Sequence, residues 1–139
     1  MDSVDYLKIL QYRNTHNPYA KQLGIVVEEI GPGTARVSKT ITERDLNPGA
    51  ITHGGVYFSM ADTACASASA SHGYMAVTLG ASYEFFRSAH TGDRLTAVAT
   101  EVKHGRTVSV YEVQIFDQNQ TLLGKGSFTF YSLGTPIEF

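Results

Sequence analysis

Apolar positions recur at period two over Val77, Leu79, Ala81, Tyr83 and Phe85, set against Thr78, Gly80, Ser82 and Glu84. This is the cleanest strand pattern in the chain. Ala35, Val37 and Ile41 alternate in the same way, and the runs Ile25 to Ile30 and Ala35 to Ile41 flank Gly31-Pro32-Gly33, which predicts a hairpin. Two further strands, Leu95 to Val102 and Thr107 to Phe116, meet at a tip of Lys103-His104-Gly105-Arg106. A last strand, Leu122 to Tyr131, follows a second tip at Asp117-Gln118-Asn119-Gln120. Helical spacing occurs twice. Val4, Leu7 and Leu10 share a face of a short helix over residues 3–13, with Ser3 as its cap and His16-Asn17-Pro18 as its end. The run from Val56 to about Ser71 contains neither glycine nor proline and is rich in alanine, so it reads as a long helix closed by His72-Gly73. Small side chains clad that helix nearly all round, which marks it as central to the fold.

Two strands, one long buried helix and four strands predict an α+β domain, with consecutive hairpins forming an antiparallel sheet and the helix covering one face. The 139 residues suit a single domain spanning 1–139. Hydrophobic residues make up 42% and charged residues 17%; the low charged fraction points to surface buried between subunits. A net charge of −2 gives no electrostatic reason to expect nucleic acid or an anionic membrane as partner. No run is apolar for long enough to span a bilayer or serve as a signal peptide, and Cys65 stands alone, so the expectation is a cytoplasmic protein without disulfides. The five histidines show no metal-ligand spacing, so no metal site is expected.

Between Leu46 and Tyr83 the single formally charged side chain, histidines aside, is Asp62. A helical aspartate ordinarily faces solvent. Here its neighbours are small and apolar, and an unpartnered carboxylate in such a place is costly, so a chemical role competes with the ordinary one. His53-Gly54-Gly55 precedes the same helix. Glycines at a helix start leave N–H groups open to an anionic ligand or a developing oxyanion, while a histidine there is more often a structural hydrogen-bonder than a base. Eight residues of helix separate Gly54 from Asp62 by about 12 Å. A base and an oxyanion donor must both lie near the reacting group. If both act together, the site lies between two subunits, one supplying Gly54 and the other Asp62. Cys65 lacks an evident partner base and reads as a small core residue; Tyr57, Phe58 and Met60 read as core or interface.

The pattern Asn47-x5-His53-Gly54-Gly55-x6-Asp62, within NPGAITHGGVYFSMADTACASA, resembles the hotdog-fold acyl-CoA thioesterases of the PaaI-like branch. Tyr83-Glu84-Phe85-Phe86-Arg87 with Thr91-Gly92-Asp93, and Gly105-Arg106-Thr107, are similar to that family's later strand, turn and hairpin. The resemblance covers about residues 20–131. It departs at Ser88, where the family often has proline, and at Asn119-Gln120, where an Asp-Gly turn is common.

The resemblance implies a hotdog fold, an antiparallel sheet wrapped around the long helix, with protomers paired as a homodimer and dimers paired again as a homotetramer. It implies hydrolysis of acyl-CoA to the free acid and CoA with no cofactor beyond the coenzyme A of the substrate. Asp62 falls on the catalytic carboxylate, which activates water or attacks the thioester itself. Gly54 falls on the residue whose N–H polarises the carbonyl. Asn47 and His53 fall on polar residues that orient the thioester or the water, and Thr78 on a hydroxyl beside the carboxylate. Gly55, Arg87, Lys103 and Arg106 are candidates for contacts to coenzyme A, the three cations for its phosphates. Two other functions on the same fold stay open: an acyl-CoA binding or sensing module, which needs no such carboxylate, and a dehydratase, which places Asp and His close together after a different loop. The acyl group, and whether the carrier is CoA or acyl carrier protein, are not legible in these residues.

Overall fold

The computed structural model describes residues 4–139. The first helix, α1 (Tyr6–Thr15), begins later than the periodicity predicts, because Asp5 caps it: Asp5 Oδ1 accepts the Lys8 N–H at 3.0 Å. Ser3, the expected cap, lies outside the described residues. The helix buries Ile9, with Val4, Tyr6 and Leu10 packed beside the core, while Leu7 is 64% exposed. Its apolar face is therefore rotated from the one read off Val4, Leu7 and Leu10. Asn17-Pro18 also starts a second helix that the pattern missed, α2 (Pro18–Leu23), with Asn17 as N-cap, Pro18 in the first turn and Gly24 closing it at φ 74°. Asn-Pro is a stop for the helix before it and a start for the helix after it.

β1 (Val26–Gly31) and β2 (Thr34–Thr40) form the predicted hairpin. The long helix α3 (Gly54–Ala70) follows, and then β3 (Tyr74–Phe85), β4 (Arg94–His104), β5 (Val108–Phe116) and β6 (Leu122–Pro136). All six strands join one sheet in the order β1-β2-β4-β5-β6-β3, every pair antiparallel. This is the α+β architecture that the order of elements predicts, with α3 packed across β2, β3, β4 and β5. Ala61, Ala64, Cys65 and Ala68 of α3 are wholly buried, and Val37, Leu95, Tyr111, Ile115 and Phe128 close around the helix from the sheet. Small residues on the helix and large ones on the strands interdigitate to fill one core.

β3 departs from its pattern. It pairs with β6 and is the sheet's edge, so Tyr74, Met75, Val77 and Leu79 are all more than 40% exposed despite the alternation. A β-bulge between Thr78 and Gly80 also interrupts the period. An extra residue exchanges the two faces of a strand. Before the bulge the even-numbered Ala76 and Thr78 face α3; after it, Phe85 does, its ring 5.8 Å from that of Tyr57 on the helix.

The loop from β2 to α3 is anchored from below. Lys39 of β2 and Asp45, in a short 3-10 turn (Glu43–Asp45), form an ion pair at 3.0 Å with their side chains 4% and 5% exposed. Lys39 Nζ also donates to the Leu23 carbonyl, and Asp45 Oδ2 accepts the Thr42 N–H at 2.8 Å. The Asp45 carbonyl accepts the N–H of His53 at 2.8 Å, so the pair sets where α3 begins. Removing one partner leaves a buried charge alone. Asp45→Ala should therefore cost about 3–5 kcal/mol in urea unfolding, and Asp45→Ala with Lys39→Met together should cost less than Asp45→Ala by itself.

Candidate active site

Asp62 lies in the middle of α3 and is partly exposed. The Thr78 hydroxyl donates to its Oδ1 at 2.7 Å. The bulge in β3 makes this contact possible by turning Thr78 toward the helix. One carboxylate oxygen is thereby oriented, and the other has no hydrogen-bond partner among the described residues. Arg13, which sequence reasoning passed over, is a second neighbour. It projects from α1 to α3, where its Nε donates to Ser67 Oγ at 2.8 Å, and Ser67 in turn donates to the Thr63 carbonyl at 2.7 Å. Burial lowers the Arg13 pKa and the negative charge of Asp62 opposes that shift. An arginine on an amphipathic surface helix carries no pattern that marks it, since its place beside Asp62 depends on how α1 docks.

Cys65, one turn beyond Asp62, is fully buried. Burial and then the charge of Asp62 both push its thiol pKa up, so the reactive thiolate is disfavoured.

Gly54, His53 and Asn47 gather at the other end, where α3 begins. His53 is the N-cap: its Nδ1 accepts the Gly55 N–H at 2.8 Å. Its ring is therefore the Nε2–H tautomer in this arrangement, and the Gly55 N–H, a candidate coenzyme A contact, is already taken. The Val56 N–H returns to the His53 carbonyl. Among the described residues none accepts the Gly54 N–H, which leaves it the open donor at the positive end of the helix. Gly54, Thr52, Tyr57, Phe85, Phe86, Arg87 and Ser88 line a cavity of about 230 Å³, so Arg87 shares a space with Gly54. A Cβ on Gly54 would stand 3.4 Å from the Phe85 ring. Asn47 turns the loop just before: its Oδ1 accepts the Gly49 N–H at 2.8 Å and supports Ala50 at φ 62°. Its amide nitrogen has no partner among the described residues.

The two groups do not meet. Gly54 and Asp62 stand on one helix with about 12 Å of rise between them. Lys103 and Arg106 lie elsewhere, on the β4–β5 hairpin, and Arg106 lines a separate cavity with His72 and His104.

The thioesterase superfamily profile matches residues 49–123. The chain belongs to the thioesterase superfamily. It is 39% identical to the acyl-coenzyme A thioesterase PaaI of Escherichia coli strain K12 over 114 residues, 78% of this chain and 81% of that one. The solved Escherichia coli PaaI protein from the phenylacetic acid degradation operon is similar with a TM-score of 0.92 and 32% identity, covering 96% of each chain. A hypothetical thioesterase protein of Streptococcus pneumoniae TIGR4, solved with coenzyme A, aligns with a TM-score of 0.78 and 27% identity over 81% of this chain and 88% of that one. That protein has also been solved with an aspartate replaced by alanine and with a threonine replaced by alanine, at positions sixteen apart, the separation of Asp62 and Thr78 here. This superfamily member is thus a thioester hydrolase of the PaaI-like branch with a hotdog fold, as the motif around Asp62 implies.

A buried thiol with a raised pKa should not react. Iodoacetamide at pH 8 is expected to label Cys65 at least about tenfold more slowly in the native protein than in guanidinium, and Cys65→Ala should keep full thioesterase turnover, both read by mass spectrometry and thiol release.

Proposed function

We propose that this chain hydrolyses an acyl-CoA to the free acid and CoA, at a site completed by two protomers. The observation that carries the reading is the pair of half-sites on α3: a carboxylate oriented by Thr78, and an open Gly54 N–H about 12 Å away on the same rigid helix. Each half lacks what the other has, and a two-fold partner running α3 the opposite way supplies it twice. The exposed apolar edge of β3 supports that pairing, since an uncovered hydrophobic edge strand is a ready surface for a second copy. Thr78 lies on that same edge strand, which brings Asp62 toward the proposed interface. Pairing of dimers into a tetramer belongs to the same reading, as does a cytoplasmic location, where a lone thiol stays reduced.

In this mechanism the thioester carbonyl oxygen takes the Gly54 N–H of one protomer, at the positive end of α3, where negative charge develops as the carbonyl carbon becomes tetrahedral. Asp62 of the other protomer acts with the oxygen that Thr78 leaves free. That oxygen either removes a proton from water as the water attacks, or attacks the carbon and is released from the resulting anhydride by water. In both courses one water is consumed, the C–S bond breaks, and the thiolate of CoA leaves and is protonated. His53 Nε2–H and the Asn47 amide donate toward the thioester from the Gly54 side. Arg87, in the cavity that Gly54 lines, meets a phosphate of coenzyme A, with Lys103 and Arg106 as outer contacts. The chemistry as proposed calls on no metal or cofactor. The kinship to acyl-coenzyme A thioesterase PaaI and to a hypothetical thioesterase protein solved with coenzyme A supports CoA as the carrier.

The N–H of Gly54 can be removed without losing the helix start. Gly54 is the first residue of α3, where proline is tolerated, and His53 before it already has the extended conformation a proline requires (φ −63°, ψ 138°). Gly54→Pro and Asp62→Asn should each fold and dimerise, and each should lower kcat by about 10²–10³ in a thiol-release assay. Mixing the two inactive variants under subunit exchange should restore about a quarter of wild-type activity, because half of the dimers are then mixed and each holds one intact site. No recovery despite exchange, or a monomer in sedimentation, would sink the shared site.

Thr78→Ala should lower kcat by about tenfold while leaving KM nearly unchanged, since the hydroxyl orients the carboxylate instead of holding the ground-state substrate. An unchanged kcat would remove Thr78 from the mechanism.

A further inference from the structure

At the C-terminal end of α3, three side chains that the hydrolytic reading does not use come together. His72 follows the helix, and Glu101 and His104 lie on β4. Nε2 of His72 is 2.6 Å from Glu101 Oε1, and Nδ1 of His104 is 3.9 Å from the same oxygen. One ligand atom from each residue lies within 4.8 Å of the other two. The two imidazoles stack with centroids 3.6 Å apart and planes 7° from parallel, which turns a nitrogen of each toward the carboxylate. The arrangement is held from behind. Tyr111 donates its hydroxyl to Glu101 Oε1 at 3.1 Å, and Ser109 Oγ is 3.0 Å from His104 Nδ1. Gly33, at φ 66°, packs under the Glu101 side chain where a Cβ would leave only 2.9 Å. A cavity of about 280 Å³ borders His72 and His104 and gives access from solvent.

We propose that His72, Glu101 and His104 bind a divalent transition-metal ion, zinc in the first instance, which ties the end of α3 to β4. Two imidazole nitrogens and one carboxylate oxygen form a donor set of borderline softness suited to zinc, and the cavity leaves room for water as a fourth ligand. In a tetrahedral zinc site the ligand atoms stand about 3.4 Å apart, given bonds near 2.1 Å. The present separations of 2.6 and 3.9 Å from the Glu101 oxygen lie on either side of that value, and all three ligand atoms lie within 4.8 Å of one another. The rings must also turn out of their stack, because parallel lone pairs do not converge on one point. The ion takes the place of the hydrogen bond between His72 Nε2 and Glu101, and a neutral His72 then carries its proton on Nδ1. Tyr111, which donates to Glu101, then serves as a supporting hydrogen-bond partner, while Ser109 gives up His104 Nδ1 to the ion. Arg106 borders the same cavity and its charge opposes the ion. Spacing rules do not find such a site, since His72 and Glu101 are 29 residues apart and on different elements.

The test is calorimetric titration of the intact metal-free protein with zinc chloride at pH 7.5. Saturable binding of one ion per chain is expected. Glu101→Gln and His104→Ala should each weaken it by at least about tenfold, and Arg106→Gln should tighten it. His90→Ala, a change at a histidine whose side chain is 66% exposed and which precedes β4, at the opposite end of that strand from the cluster, should leave it unaltered. Zinc should raise the melting temperature of the wild type by a few degrees and that of His104→Ala by less than one. Circular dichroism identifies any variant that fails to fold, and the exposed His104 position makes that variant the safe one. X-ray absorption of the zinc form should show only nitrogen and oxygen neighbours near 2.0–2.1 Å. No saturable binding below about 100 μM, or binding indifferent to both Glu101→Gln and His104→Ala, would overturn the proposal; in that case the cluster is a hydrogen-bonded brace alone. None of these readouts depends on thioesterase activity.

Discussion

Alanine and serine give a helix little apolar surface of its own, and α3 is buried by the sheet closing in on its backbone. Ala61, Ala64, Cys65 and Ala68 have no exposed surface, and the bulk that fills the core comes from the strands, above all Tyr111, Phe128, Leu95 and Ile115. This close approach allows the sheet to curl around the helix, and it leaves no slack. Any larger side chain on the inner face of α3 forces the strands apart. The sheet covers only part of the helix. Beyond Gly54 at its start, a single stripe at helical spacing, Gly55, Phe58, Ser59, Asp62 and Ala66, escapes full burial. Asp62 occupies that stripe, which resolves the apparent conflict of a carboxylate in an apolar helix: it belongs to the buried helix and yet remains reachable.

The same rigidity controls the chemistry. A helix packed on three sides neither bends nor stretches, so the rise between Gly54 and Asp62 is fixed and one chain cannot bring both to a single carbonyl. The ends of the helix are prepared separately. At the start, the buried Lys39–Asp45 pair holds the loop, His53 caps the helix through Gly55, and the Gly54 N–H is left over. In the middle, the β3 bulge delivers Thr78 to Asp62. The strand that delivers Thr78 is also the exposed edge where a second copy would pair, so orienting the carboxylate and assembling the proposed site depend on one element.

Much of the architecture was legible because it rests on local rules. The hairpin around Pro32-Gly33, the turns at Asn47 and Asp117, the helix end at Gly73 and the limits of most strands follow from turn chemistry and period. Where local signals failed, a tertiary contact outweighed them. The alternation of β3 reads as a half-buried strand, but before the bulge it is Ala76 and Thr78 that face α3, and Val77 is exposed on the edge strand. Asn17-Pro18 reads as an end and is also a beginning. The face of α1 is set by docking Ile9 against the core and Arg13 against Ser67, not by the apolar spacing of Val4, Leu7 and Leu10.

For the site, the sequence by itself determined which groups stand on which helix and how far apart: a lone carboxylate, a glycine pair at the helix start, and about two turns of helix between them. Those are consequences of covalent order and helical rise, which no packing alters. It also carried the motif that marks the superfamily. Only the tertiary structure decided the rest. It decided that Thr78 reaches Asp62, that Arg13 stands beside the carboxylate, and that His72, Glu101 and His104 converge. Each of these joins residues from different elements, and their meeting depends on a bulge, a register or a docking angle that the linear pattern does not record.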